Sequence, residues 1–147
     1  MDIKNRKQGD LPIVLMAEDD SDDRFLMDDV FKTNQHQGEL RFVVDGEELM
    51  EYLLRRGKFA DPELAPRPSL ILLDLNMPKK DGREALSEIK ADPGLTDIPI
   101  IVWTTSNLRE DRVLCLERGA KAFFTKPNNY EDLKKIVAHL CTEWLKD

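Results

Sequence analysis

Short apolar runs alternate along the chain with longer stretches in which apolar residues recur every three or four positions. The strand-length runs are Ile13–Ala17, Leu40–Val44, Leu70–Leu73, Ile100–Trp103 and Ala122–Thr125. Each run is followed by a stretch with one apolar face, which is the pattern of an amphipathic helix. The alternation predicts an α/β fold, in which five helices cover both faces of a five-stranded parallel sheet.

Polar residues mark where these helices begin and end. Asp45, Asp81, Asn107 and Asn128 are each followed three positions later by Glu, which predicts a capped helix start at each. The sequence Asp92-Pro93-Gly94 predicts the end of the third helix, and Gly119 predicts the end of the fourth.

The pattern predicts one domain over residues 12–147, preceded by a flexible tail at 1–11. Within the domain, residues 55–68 form a long Pro-containing connection between the second helix and the third strand. This loop is interpreted either as a partner-contacting insertion or as a tolerated surface insertion.

Composition narrows the class of protein. Apolar residues make up 41% of the 147 residues and charged residues 35%, as in a globular domain. The formal net charge of −7 argues against nucleic acid as a partner. Because we find neither a membrane-length apolar run nor a signal peptide, we expect no membrane partner and a cytoplasmic location. Cys115 and Cys141 are interpreted as small apolar packing residues.

Charged and hydroxyl side chains gather at the predicted carboxyl ends of the strands, where open parallel sheets carry their functional crevice. Glu18 and Asp19 end the first strand, Asp74 ends the third, Thr104 the fourth and Lys126 the fifth. Clustered carboxylates repel one another, and Mg²⁺ relieves this repulsion while retaining water and phosphate ligands. The sequence therefore predicts a magnesium site.

Other residues near these strand ends have simpler interpretations. Asp22 and Asp23 are assigned to a helix N-terminus, where the helix dipole favours acids. Lys126 is either an ordinary surface lysine or, fixed by Pro127, a cation directed into the acidic site. Thr104 is either a strand-forming residue or a hydrogen-bond donor to a phosphoryl oxygen.

Taken together, these motifs resemble the response-regulator receiver domain (CheY-like) of two-component signalling. The resemblance covers about Ile13 to Trp144. Its elements are "ED" at Glu18-Asp19, "LILLDLNMPKKDG" around Asp74, "VVDGEEL", "WTTS" and "GAKAFFTKP". The family fold is a doubly wound sheet with strand order 2-1-3-4-5, so this order is expected here.

The resemblance implies a role for each matching residue. Asp74 is the expected phospho-acceptor, taking a phosphoryl group from a phosphohistidine of a sensor histidine kinase. Asp19, Asp74 and the backbone carbonyl of Asn76 are the expected ligands of Mg²⁺ (or Mn²⁺), with Glu18 acting through water. Thr104 and Lys126 would contact the phosphoryl group. Thr104 would also serve as a switch residue, together with a second such residue, Phe123.

Within the family, the loop and the motifs around Asp74 look like those of the stand-alone regulators of bacterial phytochrome-type kinases. Such regulators imply a contact surface, formed by the fourth helix, fifth strand and fifth helix, that also allows a homodimer. Leu140, Trp144 and Leu145 extend the final helix with apolar residues, which are interpreted partly as surface for a dimer and partly as packing against the sheet. The chain would act by protein contact or as a phosphate shuttle, without an output domain.

Two other functions are weighed against this one. A Mg²⁺-dependent aspartyl phosphatase places a second Asp two residues after its nucleophile, but the residue here is Asn76. A receiver that is never phosphorylated would serve only as an interaction module. The complete set of acids, threonine and lysine argues against that interpretation. We therefore expect a signalling protein that catalyses only its own phosphoryl transfer and slow self-dephosphorylation.

Overall fold

The structure is a computed structural model that describes residues 11–33 and 38–145. The flexible tail predicted for 1–11 lies outside these residues except for Leu11. None of the helices in the described ranges combines the length and the apolar composition that a bilayer crossing requires.

Five parallel strands form one sheet. The strands are β1 (Ile13–Ala17), β2 (Glu39–Val43), β3 (Leu70–Leu73), β4 (Ile100–Thr104) and β5 (Ala122–Thr125). They alternate with α1 (Ser21–Thr33), α2 (Gly46–Leu54), α3 (Gly82–Ala91), α4 (Arg109–Glu117) and α5 (Tyr130–Trp144). The strand order is β2-β1-β3-β4-β5, which confirms the predicted fold class.

Alternate residues of each central strand face opposite sides of the sheet, so the domain has two apolar cores. Leu15 and Ile71 pack in a first core with residues of α2, α3 and α4. Val14 and Leu72 pack in a second core with residues of α1 and α5. Because both faces are covered, the central strands β1 and β3 need continuous apolar sequence, as observed.

The predicted caps are correct for α2 and α3 only. Asp45 accepts a hydrogen bond from the Glu48 amide, and Asp81 accepts one from the Arg83 amide. Asn128 is wrong by one position, because Asn129 caps α5 by accepting from the Asp132 amide.

Asn107 is also wrong as a cap. The residue before α4 is Leu108, which makes no side-chain cap bond. Instead, Ser106 Oγ accepts a hydrogen bond from the Leu108 amide. This bond closes a turn before the helix, and the first turn of α4 has no side-chain cap.

The connection at 55–68 is anchored to the body of the domain. Two side chains from outside the connection donate to carbonyls of its second half, Arg41 to Leu64 and Tyr52 to Pro66. Arg55, at the start of the connection, donates to the Ala65 carbonyl between them. The side chain of Ala65 is buried in the first core. The loop thus has a fixed path across the surface.

The apolar residues at the end of α5 face the sheet rather than solvent. Leu140 and Leu145 are buried in the second core, and Trp144 is half-buried against it. Of the two interpretations, packing against the sheet therefore holds for Leu140 and Leu145. Exposed apolar side chains occur on α4 instead, at Val113 and Leu116.

Candidate functional site

The backbone hydrogen bonds between neighbouring strands continue for one residue beyond β1, β3 and β5. They fix the backbone positions of the first residues of the site. The amide of Glu18 donates to the Val43 carbonyl at 2.9 Å. The amide of Asp74 donates to the carbonyl of Ala17 at 3.2 Å. Lys126 is placed in the same way, since its amide donates to the Thr104 carbonyl at 2.7 Å. These side chains therefore project from rigid backbone at one edge of the sheet.

Three carboxylates meet at this edge. One carboxylate oxygen from each of Glu18, Asp19 and Asp74 lies within 4.8 Å of the other two. Glu18 and Asp74 are buried, whereas Asp19 is exposed to solvent. Hard oxygen donors at this spacing, open on one side, suit Mg²⁺ or Mn²⁺ with retained water. The residues present therefore fit the predicted metal.

Lys126 supplies the positive charge of the cluster. Its ammonium group donates to Glu18 Oε1 at 2.5 Å, to Asp23 Oδ2 at 2.8 Å and to Asp74 Oδ2 at 3.4 Å. Lysine carries three such donors, and each one has an acceptor here. Of the two interpretations of Lys126, the structure supports the cation directed into the acidic site.

Burial and charge both change the protonation of this cluster. Burial raises the pKa of Glu18 to about 7 against the opposing hydrogen bond from Lys126, and the negative charge of Asp74 adds to the rise. Burial also disfavours the Lys126 ammonium, but hydrogen bonds to Asp23 and Glu18 outweigh it and raise the pKa of Lys126. Lys126 is therefore a permanent cation at neutral pH, set among carboxylates that a metal ion would stabilise.

Asp23 belongs to this cluster, although the sequence pattern assigned it only to a helix start. Asp20 caps α1 by accepting from the amides of Asp22 and Asp23. This cap puts Asp23 at the third helical position, where its carboxylate reaches Lys126. The interpretation of Asp23 as an acid that serves only the dipole is wrong, because its carboxylate also bonds to Lys126. Recognising the Asp20 cap would have fixed the position of Asp23 in the helix but not this contact.

The remaining predicted residues surround the cluster. The amide of Asn76, whose side chain is exposed, donates to Asp74 Oδ1 at 3.2 Å. Thr104 is fully buried at the end of β4, and its Oγ1 accepts from the Ser106 amide at 3.3 Å. Phe123 is 7% exposed and packs in the first core. The Phe123 ring is therefore already turned inward in this structure.

Comparison with known proteins identifies the family. The profile of the response regulator receiver domain matches residues 14–138. The chain belongs to this family. Receiver domains interact with sensor histidine kinases and use Mg²⁺, so the acidic cluster has the composition that the family requires.

Individual relatives are similar over nearly the whole receiver domain. Response regulator Rcp1 of Synechocystis is 42% identical over 134 residues, which are 91% of this chain and 89% of Rcp1. The crystal structure of Mn²⁺-bound Rcp1 has 41% identity and a TM-score of 0.82, and covers 92% of this chain and 95% of that one. The phosphorylated cyanobacterial phytochrome response regulator RcpA has 38% identity and a TM-score of 0.85, with the same coverage.

Proposed function

We propose that Asp74 accepts a phosphoryl group from a phosphohistidine of a phytochrome-type sensor kinase, and that the chain then changes its protein-contact surface. One observation carries this proposal. The Asp74 carboxylate lies at the sheet edge with its Oδ2 3.4 Å from the Lys126 ammonium, inside a cluster of oxygens suited to a divalent metal. The relatives Rcp1 and RcpA, of which RcpA is described as a phytochrome response regulator, support the class of kinase.

The metal would be held by few residues of this chain. Asp19, Asp74 and the backbone carbonyl of Asn76 would ligate Mg²⁺ or Mn²⁺, and Glu18 would act through water. When bound, the ion supplies positive charge that reduces the repulsion between carboxylates and an incoming phosphoryl group.

The side chains of the protein promote phosphoryl transfer by holding the reacting group in place. An oxygen of Asp74 forms a bond to phosphorus while the bond from phosphorus to the kinase histidine breaks, and the imidazole keeps that electron pair. Lys126 pairs with a phosphoryl oxygen. Thr104 Oγ1 accepts a bond from Ser106, so its own proton is left to donate to the phosphoryl group. Such positioning and charge neutralisation are the main demands of phosphoryl transfer.

The signal would leave through the surface formed by α4, β5 and α5. Phe123 lies on β5, and Thr104 ends β4 beside Thr125 of β5, so movement at Thr104 can pass to this surface through the paired strand. Val113 and Leu116 on α4 are 43% and 39% exposed and offer apolar area for a partner or a second copy. A homodimer through this surface is part of the proposal.

Labelling with a small phosphodonor tests the acceptor. We expect phosphoramidate with Mg²⁺ to add one phosphoryl group to the wild-type chain, detected by intact mass, and to add none to Asp74→Asn. Asp22→Asn is the matched control, because Asp22 is an exposed acid outside the cluster. Equal labelling of Asp74→Asn would overturn the assignment.

Transfer from a kinase tests the partner and the class of activity. A phytochrome-type kinase carrying labelled phosphohistidine should pass its label to the chain within a single encounter. We expect slow self-dephosphorylation afterwards. Sustained turnover of phosphate esters would instead indicate a phosphatase, for which Asn76 lacks the required acid. The cytoplasmic location stays a prediction.

A further inference from the structure

We infer that Asp23 is a positioning residue that competes with the phosphoryl group for the ammonium of Lys126. In the resting chain, Asp23 accepts a bond from this ammonium, and that contact must weaken when Lys126 moves toward a phosphoryl group on Asp74. Asp23 therefore slows phosphorylation and shortens the life of the phosphorylated form. The inference rests on the proposed role of Asp74.

The geometry of Lys126 shows why a competition arises. Its ammonium has three protons, and Glu18, Asp23 and Asp74 each accept one. The bond to Asp23, at 2.8 Å, is shorter than the 3.4 Å bond to Asp74. A phosphoryl oxygen on Asp74 takes over the donor that now bonds to Asp74 Oδ2, and the ammonium can move closer to it only by lengthening its bonds to Glu18 and Asp23.

Of the other two acceptors, Asp23 is the easier one to release. The Glu18 side chain is 1% exposed, so without Lys126 its Oε1 would be buried with no partner, and only Oε2 would keep its bond from the Asp20 amide. The Asp23 side chain is 34% exposed, so water can replace Lys126. Leaving a buried acceptor unpaired costs far more than releasing one that water reaches.

The neighbouring residue makes the effect specific to Asp23. Asp22 and Asp23 both lie in the first turn of α1 and carry the same charge. Of these two acids, only Asp23 contacts Lys126 among the hydrogen bonds and ion pairs of the described residues. Their two Asn variants therefore change net charge equally at nearly the same place, and differ only in the contact with Lys126.

The first measurement is the rate constant of phosphorylation by phosphoramidate at saturating Mg²⁺. We expect Asp23→Asn to be about two- to fivefold faster than wild type, the range for a solvent-accessible ion pair. Its phosphorylated form should decay more slowly by a similar factor. Asp22→Asn should match wild type, and Asp23→Glu should return toward the wild-type rate.

The second measurement uses the metal-free chain and does not depend on phosphorylation. The proton-exchange rate of the Lys126 ammonium, followed by ¹⁵N-detected lysine spectra, should rise in Asp23→Asn and not in Asp22→Asn. A slower or unchanged phosphorylation rate in Asp23→Asn would overturn the inference while the wild-type chain still takes label. An unlabelled wild-type chain would instead overturn the proposed function.

Discussion

Arg83 on α3 and Asp111 on α4 are joined by two parallel hydrogen bonds, from Nε to Oδ1 and from Nη2 to Oδ2, each 2.9 Å long. Asp111 is only 7% exposed, and Ser106 Oγ donates to its Oδ2 at 2.7 Å. The Ser106 amide in turn donates to Thr104 Oγ1. A charge pair between two helices is thus linked to the loop that follows the predicted switch threonine.

Removing the charge of Asp111 should destabilise the fold. We expect Asp111→Asn to lower the free energy of unfolding by about 1–3 kcal/mol, because a charged hydrogen-bond acceptor is lost from a buried position. Urea unfolding followed by circular dichroism measures this change. Glu117→Gln, an exposed acid at the end of the same helix, is the control and should change stability little. Equal losses in both variants would contradict the role of the pair.

The same pair should make stability depend on acid pH. The hydrogen bonds from Arg83, and then from Ser106, hold the pKa of Asp111 below its ordinary value. The pKa of Asp in the unfolded chain is about 4. Because the folded pKa of Asp111 is lower, the pair stabilises the fold fully above that pH, and this stabilisation is lost as the pH falls through the folded pKa. The stability difference between wild type and Asp111→Asn should therefore be constant from neutral pH to about 5, and shrink below about 4. A difference that grows on acidification would contradict this assignment.

The fold could be predicted because its signals are local. Leu70–Leu73 and Ile13–Ala17 are apolar runs whose bounds the structure reproduces. The carboxyl ends of parallel strands meet at one edge of the sheet, so Asp74 and Lys126 could be placed together without coordinates.

Contacts between side chains that are far apart in the chain have no local signal in the sequence. The bond of Asp23 to Lys126 joins residues 103 positions apart, and that of Arg83 to Asp111 joins residues 28 apart. Whether an acid on a helix reaches a given partner depends on how the helices pack. Hydrophobic periodicity determines that packing only coarsely. The anchoring of the loop by Tyr52 escaped prediction for the same reason.

Gly82 is needed for more than the start of α3. A Cβ atom at this position would lie 2.2 Å from the backbone oxygen of Asp74, closer than any real contact. We expect Gly82→Ala to cost at least about 2 kcal/mol of unfolding free energy, as overpacking does when backbone must move. It should also weaken Mg²⁺ binding by displacing Asp74, measured by calorimetry.

Gly94→Ala is the control for that substitution. A Cβ atom there would meet only the side chain of Asp92, at 3.3 Å, which a small rotation relieves. Its stability and Mg²⁺ affinity should stay near those of wild type. If Gly82→Ala behaved in the same way, the close approach to Asp74 would have no energetic consequence.

The hydroxyl of Tyr52 should hold the loop at 55–68 in place. It donates to the Pro66 carbonyl at 2.7 Å, and the ring is buried. We expect Tyr52→Phe to lose about 1 kcal/mol and to speed amide hydrogen exchange within the loop. Tyr130→Phe removes a hydroxyl bonded to the exposed Asp29 and should leave loop exchange unchanged. Exchange that is equally slow in both variants would show that other contacts hold the loop.

Trp103 should report metal binding directly. It is 3% exposed and, together with Asp23 and Lys126, lines a cavity of about 160 Å³. A divalent cation at the neighbouring carboxylates changes the local electric field in a region of low dielectric, to which indole emission responds. Trp144→Phe leaves Trp103 as the sole tryptophan of the chain. In this variant we expect Mg²⁺ to shift the emission and a chelator to restore it.

Asp19→Asn in the same background separates metal binding from general salt effects. Asp19 is exposed and is a proposed ligand, so its removal should weaken the Mg²⁺ response severalfold without disturbing the buried indole. Asp22→Asn, which removes the same charge outside the cluster, should leave the titration unchanged. A response that survives unaltered in Asp19→Asn would mean that the ion binds elsewhere. Loss of the response in both variants would mean that net charge, rather than the three-carboxylate cluster, governs the signal.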